Sequence, residues 1–262
     1  MIPTTICEGQ VAFITGATKG LGGELALALA AAGADVVIVG RDQAAGRDIA
    51  DRVQALGRTA LLLAADVTDE ASMQYAAAVA LEKFGCIDIL LCVAGVGSPR
   101  QPVWQSSAAD FHACFDVNVL GVMLAMKATL PSMLARRSGR VVVIGGTYGH
   151  KGVPNAAIYA ASKWALRGLV KSAALECGPE NITVNLIAPG GVAGPRLERL
   201  FRQSAEREGV PYEQVLGRFA GRTALGRLVD GDDIARTLLH LVSEGGRNIT
   251  GQDLIVDAGG II

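Results

Sequence analysis

The stretch "VAFITGATKGLGGELALALAAAGADVVIVGRD", residues 11–42, decides the fold. An apolar β-type run, 11–15, ends in a loop holding Gly16, Gly20 and Gly22, and a helical pattern starts at once. A second β-branched run, "DVVIVG", follows at 35–40. Glycines let backbone approach a pyrophosphate, and a helix N-terminus offers free N–H groups at the positive end of its dipole. The same glycines would also suit a tight turn with close helix packing. The strand–loop–helix–strand setting favours the dinucleotide reading.

The end of the second run bears on which dinucleotide. A site for NAD usually has an acid there, bonded to the ribose 2′-hydroxyl. Here Gly40 is followed by Arg41, which can pair with a 2′-phosphate. Lys19, in the glycine loop, adds a second cation. Together they favour NADP(H), with NAD(H) possible. Asp42 is expected to cap the next helix. Asp66, ending the third run, could meet the adenine edge or serve as another cap.

The same alternation continues outward. Further apolar runs lie at 59–66, 87–95, 140–146, 182–190 and 253–260. Several are continuously apolar, as strands covered on both faces are. Helical patterns occupy 21–32, 43–56, 69–84, 107–137, 158–177 and 231–243. Strand and helix repeated at this spacing predict an α/β fold with a largely parallel, seven-stranded sheet and helices on both faces. No linker or internal repeat divides the chain, so one domain, 1–262, is expected. Residues 191–222 break the alternation after the sixth strand. Ligands bind outside the carboxyl ends of strands in such sheets, so this insertion is expected to be a lid.

Composition narrows the function. The chain has 262 residues, half of them hydrophobic, enough for one large core. Its 24 basic and 25 acidic residues are interspersed, unlike the basic face of a nucleic-acid binder. The five cysteines, Cys7, Cys86, Cys92, Cys114 and Cys177, show no metal-ligand spacing, so no metal is expected. They read as reduced, mostly buried thiols. The N-terminus "MIPTTICEGQ" lacks the basic and apolar regions of a signal peptide. The longest apolar runs are interrupted short of a membrane span. A cytoplasmic protein with no membrane or nucleic-acid partner is expected.

The chemistry is read from "GGTYGHKGVPNAAIYAASK", 145–163. Tyr159 and Lys163 are four apart in a helical pattern, so they share a face. A phenol titrates near 10 and is a poor acid–base catalyst at neutral pH. A neighbouring ammonium and an oxidised nicotinamide both favour the phenolate. Such a group could exchange a proton with a carbinol while hydride moves to or from the cofactor. Without context, YxxxK is a surface Tyr and Lys on an amphipathic helix.

The context is an ordered set: "TGATKGLG" at 15–22, "DV" at 66–67, "AG" at 94–95, "NVLG" at 118–121, "YAASK" at 159–163 and "NLIAPG" at 185–190. The late segment "GRLVDGDDIARTLLHLVSEGGRNITGQDLIVDAGG" completes it. The chain thereby resembles the short-chain dehydrogenase/reductase family over nearly its whole length. The resemblance implies a doubly wound Rossmann-type fold, a nicotinamide cofactor, hydride transfer and a homo-tetramer or homo-dimer. It implies Tyr159 as acid/base, Lys163 holding the nicotinamide ribose and lowering the tyrosine pKa, and Asn118 placing a water in a proton relay. The cofactor set it implies is Gly16, Thr18, Lys19, Gly20, Leu21 and Gly22 in the first loop, and Arg41, Asp66 and Val67 after the next strands. Ala94, Gly95, Tyr159, Lys163, Pro189, Gly190 and Val192 complete it.

The chain also departs from that family. A serine that bonds the substrate carbonyl usually stands thirteen residues before the tyrosine; here Gly146 stands there. Cys92-Val93-Ala94-Gly95 replaces a usual Asn-Asn-Ala-Gly, and Gly194 replaces a usual threonine. Thr147 could supply the missing hydroxyl, the substrate could make it dispensable, or chemistry could be lost. The survival of Tyr159, Lys163 and Asn118 favours the first two. The expected activity is hydride transfer between NADP(H) and a small-molecule ketone or secondary alcohol. The alternative is a catalytically impaired nucleotide-binding protein used in assembly or sensing.

Several residues are expected to be inert. Tyr148 and His150 could line the substrate cleft, but read more simply as loop residues packing on solvent or a neighbouring subunit; His112 and His240 read as structural, Asp88 as exposed at the start of its strand, and Cys92, which could be redox-active, as a buried small hydrophobe. Residues 196–222 hold six arginines and four glutamates. An acidic substrate could use that surplus, but an amphipathic helix with Leu197, Leu200 and Phe201 inward is the simpler expectation.

Overall fold

The computed structural model describes residues 6–262; residues 1–5, part of the stretch read for a leader, lie outside them. Each apolar run forms a strand: β1 (Val11–Thr15), β2 (Asp35–Val39), β3 (Ala60–Leu63), β4 (Ile89–Cys92), β5 (Gly139–Ile144), β6 (Ile182–Pro189) and β7 (Asp253–Val256). All pair in parallel, in the order β3-β2-β1-β4-β5-β6-β7. The chain winds outward from β1 to β3, then returns to lay β4 against β1. That reversal leaves a crevice at the carboxyl ends of β1 and β4, where open α/β sheets bind ligands.

The helices are α1 (Gly20–Ala31), α2 (Gln43–Ala55), α3 (Glu70–Phe84), α4 (Ala108–Phe115), α5 (Gly121–Arg136), α6 (Ala157–Cys177), α7 (Pro195–Glu208), α8 (Tyr212–Ala220) and α9 (Gly231–Val242). They cover both faces of the sheet. Phe13 and Leu90 point into one core cluster with residues of α3, α5 and α6. Their neighbours Ile14 and Leu91 point into the other, with α1, α2 and α9. Burial on both faces explains why β1 and β4 read as unbroken apolar runs rather than alternating ones.

The pattern at 107–137 resolves into α4, a π-helical turn (Asp116–Leu120) and α5. Contrary to the sequence expectation, the stretch Ala108–Arg136 is long and apolar enough to cross a membrane by length and composition. Val122, Leu124, Ala125, Met126 and Met133 of this stretch are buried in the core against the sheet, while Phe111, Leu120 and Met123 are exposed. Core helices of layered folds pass the same compositional test.

Two expectations are corrected. Asp88 does sit at the amino end of β4, but half-buried rather than exposed. Its carboxylate accepts from the Val11 N–H at 2.9 Å and pairs with Arg136, tying β1 to α5. Leu200 is 46% exposed rather than inward. Phe201 and Ala205, four apart on α7, pack instead on Val215 of α8, and Leu200 lies about 100° around the helix from Phe201.

Candidate active site

A cleft of about 2050 Å³ runs along the carboxyl ends of the strands. Gly16, Lys19, Arg41, Asp66 and Gly95 line one part of it, and Gly146, Thr147, Tyr159, Lys163 and residues of α7 line another. A hollow of about 190 Å³ lies instead beside Asp88 and Arg140, at the start of β4 and β5.

The nucleotide end is built from close backbone approach. A Cβ on Gly22 would lie 2.1 Å from the Gly16 carbonyl oxygen, and one on Gly16 would lie 2.6 Å from the Ala94 N. A Cβ on Gly20 would meet nothing within 4 Å, because it faces the open cleft. Helix α1 begins at Lys19 with no side-chain cap and no acid in its first turn. By contrast α2, α3, α4 and α9 are each capped by an Asp or Ser side chain. The first N–H groups of α1 are thus left for an anion, and the residues present fit a dinucleotide's pyrophosphate.

The two cations foreseen for a 2′-phosphate flank this end. Arg41 lies 3.5 Å from Asp66, and Lys19 lies 3.3 Å from Asp42; both cationic side chains are largely exposed. Water screens exposed pairs of this kind, so either cation can turn to a phosphate at little cost. Asp42 caps α2 through the Ala45 N–H, as expected. Asp66 does not cap α3, because Asp69 does. Asp66 instead accepts from the Thr68 N–H and hydroxyl, which hold its carboxylate below the usual range. Of the remaining residues foreseen here, Thr18, Leu21, Val67, Ala94, Pro189, Gly190 and Val192 all line the cleft.

At the reactive end, α6 presents Tyr159 and Lys163 on one face. The Lys163 ammonium lies 5.6 Å from the Tyr159 ring centroid and donates to the Ile144 carbonyl at 3.3 Å. Lys163 is buried, and burial pulls its pKa down to about 8, helped by the field of Arg196. Burial likewise raises the Tyr159 phenol above its ordinary value of 10; the fields of Arg196 and Arg100 oppose it without prevailing. Asn118 sits in the π-helical turn, a distortion often found at functional sites. Its Oδ1 accepts from the Val96 N–H at 2.8 Å, and its Nδ2 donates to the Val96 carbonyl and the Ser162 hydroxyl. A Cβ on Gly95 would lie 3.3 Å from Asn118 Oδ1 and 3.9 Å from Lys163 Nζ, so both side chains meet at that glycine.

Thr147 opens the short 3₁₀ turn (Thr147–Gly149) after β5; it is buried and lines the cleft beside Gly146. Gly146 has φ +155°, and a Cβ there would find only the Pro189 carbonyl, at 3.9 Å. The space for a side chain exists, but the backbone has settled in a conformation that favours glycine.

Arg100 and Arg196 escaped the sequence reading, and Tyr148 takes the cleft-lining place that was the less favoured of its two readings. Tyr148 is not turned to solvent: its ring meets Tyr159 edge-on at 5.5 Å, and its hydroxyl accepts from Arg100 at 2.8 Å. Arg100 and Arg196 come from segments about 95 residues apart, and neither sits in a recognisable motif. Only the arginine surplus of 196–222 hinted at the latter. Cys92 is buried in β4 and its thiol is pushed up to about 12 by that burial, as the inert reading required.

Comparison with known proteins agrees with this geometry. The family model described as "short chain dehydrogenase" matches residues 10–205. A trans-4-hydroxycyclohexanecarboxylate dehydrogenase of Sinomonas cyclohexanicum is 34% identical, covering 95% of this chain and 92% of its own. A crystal structure of an actinorhodin polyketide ketoreductase variant with NADPH superposes with TM-score 0.90 at 30% identity, covering 96% of this chain and 97% of that one. Carveol dehydrogenase from Mycobacterium avium in complex with NAD gives 0.91 at 30% identity, covering 98% and 99%.

Proposed function

The chain belongs to the short-chain dehydrogenase family, and from that premise we propose that it is an NADP(H)-preferring oxidoreductase acting on a ketone or secondary alcohol. The observation that carries this reading is the shared cleft. Tyr159, Lys163 and Asn118 line or adjoin the same crevice that holds the uncapped start of α1. The nicotinamide supplies the hydride acceptor or donor when bound; the protein supplies the proton and the orientation. Tyr159 gives its proton to the carbonyl oxygen during reduction, or takes it during oxidation. The resemblance implied a lowered tyrosine pKa, but burial raises it instead; the phenol is protonated at neutral pH, so reduction finds its proton in place, and oxidation is expected to quicken as the solution becomes alkaline. Lys163, held by the Ile144 carbonyl, would bind the ribose hydroxyls. Asn118 orders the 96 loop and, with Lys163 near Gly95, a path for proton return.

The preference for NADP(H) rests on Arg41 and Lys19 at the end of β2 and in the glycine loop, and on Gly40 where an acid would favour NAD. Both cofactors occur among the structures similar to this one. Arg41→Ala should raise the KM for NADPH by roughly tenfold to a hundredfold, the worth of one charge-assisted hydrogen bond, while barely moving that for NADH. Equal changes for both cofactors would remove Arg41 from the phosphate.

Thr147 is the proposed substitute for the hydroxyl absent at Gly146. It is next in the chain and lines the same wall. Thr147→Ala should lower turnover by about 10²-fold, the usual effect of one lost donor to a developing oxyanion, with NADPH binding intact. Unchanged turnover would leave the carbonyl oxygen to Tyr159 and the substrate's own groups.

The remaining features extend the reading. Residues 191–222, folded as α7 and α8 over the cleft, form a lid on a single nucleotide-binding domain. Leu175 on α6 is 81% exposed and Trp164 is half exposed; these apolar groups support a homo-tetramer or homo-dimer built on that helix. Five unpaired thiols suit a reducing, cytoplasmic setting.

A further inference from the structure

The reactive end of the cleft is unbalanced in charge. Of the cleft's carboxylates, Asp42 and Asp66 lie at the nucleotide end beside Lys19 and Arg41, Glu24 points from α1 toward Gly231 at the start of α9, and Glu208 is engaged by Arg218. Asp257 is buried and accepts from the Gly259 N–H. Arg100 and Arg196 line the same space, and among the described residues neither pairs with an acid.

Their placement is specific. Arg196 is the second residue of α7, and its guanidinium reaches back to lie 3.8 Å from where a Gly97 Cβ would stand. Its positive field reaches the Tyr159 hydroxyl and opposes the effect of burial there. Arg100 holds the hydroxyl of Tyr148, whose ring abuts Tyr159. Two guanidinium groups, from the loop after β4 and from the start of α7, thus stand on the Tyr159 side of the cleft. Arg196 and Leu200 are one turn apart on α7 and both line the cleft, so a charged head and an apolar body are offered together.

Arg100 and Arg196 are solvent-exposed on the cleft wall and unpaired among the described residues, so both are free to receive an anion that enters the cleft. Guanidinium forks match carboxylates in geometry as well as in charge. Resting on the oxidoreductase reading above, we propose that Arg196, with Arg100, binds a carboxylate on the substrate, so that the enzyme acts on oxo acids and hydroxy acids whose acid group is separated from the reacting carbon by a short apolar skeleton. Leu200 packs on the carbon skeleton between them. The reduction balances as hydride from the reduced nicotinamide to the carbonyl carbon and a proton from Tyr159 to its oxygen; the carboxylate is unchanged.

The test uses acid and ester pairs: levulinate and oxocyclohexanecarboxylate, each against its methyl ester. With NADPH, the wild type should favour acid over ester by about tenfold to a hundredfold in kcat/KM, chiefly through KM. Arg196→Gln should erase that preference, lowering the acid rate tenfold or more beyond any effect on the ester, and Arg196→Lys should restore part of it. Calorimetric binding of acid and ester to the enzyme–NADP⁺ complex asks the same question without turnover. If no carbonyl compound is reduced yet the acid binds in an Arg196-dependent way, hydride transfer is lost as a reading and the anion site stands. If acid and ester bind and react alike, the anion site is overturned while the oxidoreductase survives. An equal fall in kcat for acid and ester on Arg196→Gln would also overturn it, placing Arg196 at the carbonyl oxygen instead.

Discussion

Tyr159→Phe should lower kcat for carbonyl reduction by about 10³-fold, within the 10²- to 10⁴-fold typical of a positioned acid, and leave NADPH affinity within a factor of about two. The substitution removes one oxygen. The ring's edge-on contact with Tyr148 and the α6 backbone are kept, so folding gives no alternative explanation for a lost rate. NADPH oxidation at saturating substrate, paired with a fluorescence titration of cofactor binding, separates the two effects. The alkaline rise expected for alcohol oxidation should vanish with the hydroxyl. A variant as active as the wild type would mean that another group delivers the proton, and the functional reading would fail with it.

Gly22→Ala tests the other end of the cleft. Its new methyl group would stand 2.1 Å from the Gly16 carbonyl oxygen, well inside contact distance, and the obstacle is backbone rather than a flexible side chain. Either α1 moves away from β1 or the glycine loop opens. Forced overpacking of this kind costs about 1–3 kcal/mol, and the loss of aligned N–H groups should weaken NADPH binding by roughly 10²-fold or more. Thermal unfolding followed by circular dichroism reads the first effect, and fluorescence titration the second. A variant with wild-type affinity and melting temperature would show that the loop does not need its close approach.

Much of this molecule was legible in one dimension. The seven strands lie within a few residues of the seven apolar runs, because a strand covered on both faces must be apolar at every position and turn residues must interrupt it. Gly16, Gly20 and Gly22 announced the nucleotide loop for a similar reason: only glycine admits the backbone approach seen between residues 16 and 22. The spacing of Tyr159 and Lys163 was enough to place them on one helical face.

Other features were not local. Tyr148 read as a cleft residue or, more simply, a solvent or interface one, and only the folded chain brings its ring against Tyr159 and its hydroxyl to Arg100. Asp88 read as exposed because nothing nearby in sequence says that Arg136 and the Val11 N–H would surround it. Leu200 read as core because amphipathic spacing gives the width of an apolar stripe, not which residue at its edge meets a neighbouring helix and which meets a cleft. Sequence by itself thus determined the layered sheet, the glycine loop and the Tyr159–Lys163 pair, since periodicity and steric exclusion act between near neighbours along the chain. The sequence showed an arginine surplus at 196–222, but which arginines face Tyr159 was decided by tertiary structure. Electrostatic fields depend on distance through space, and Arg100 and Arg196 become neighbours of Tyr159 only when the segments after β4 and β6 close over the same edge of the sheet.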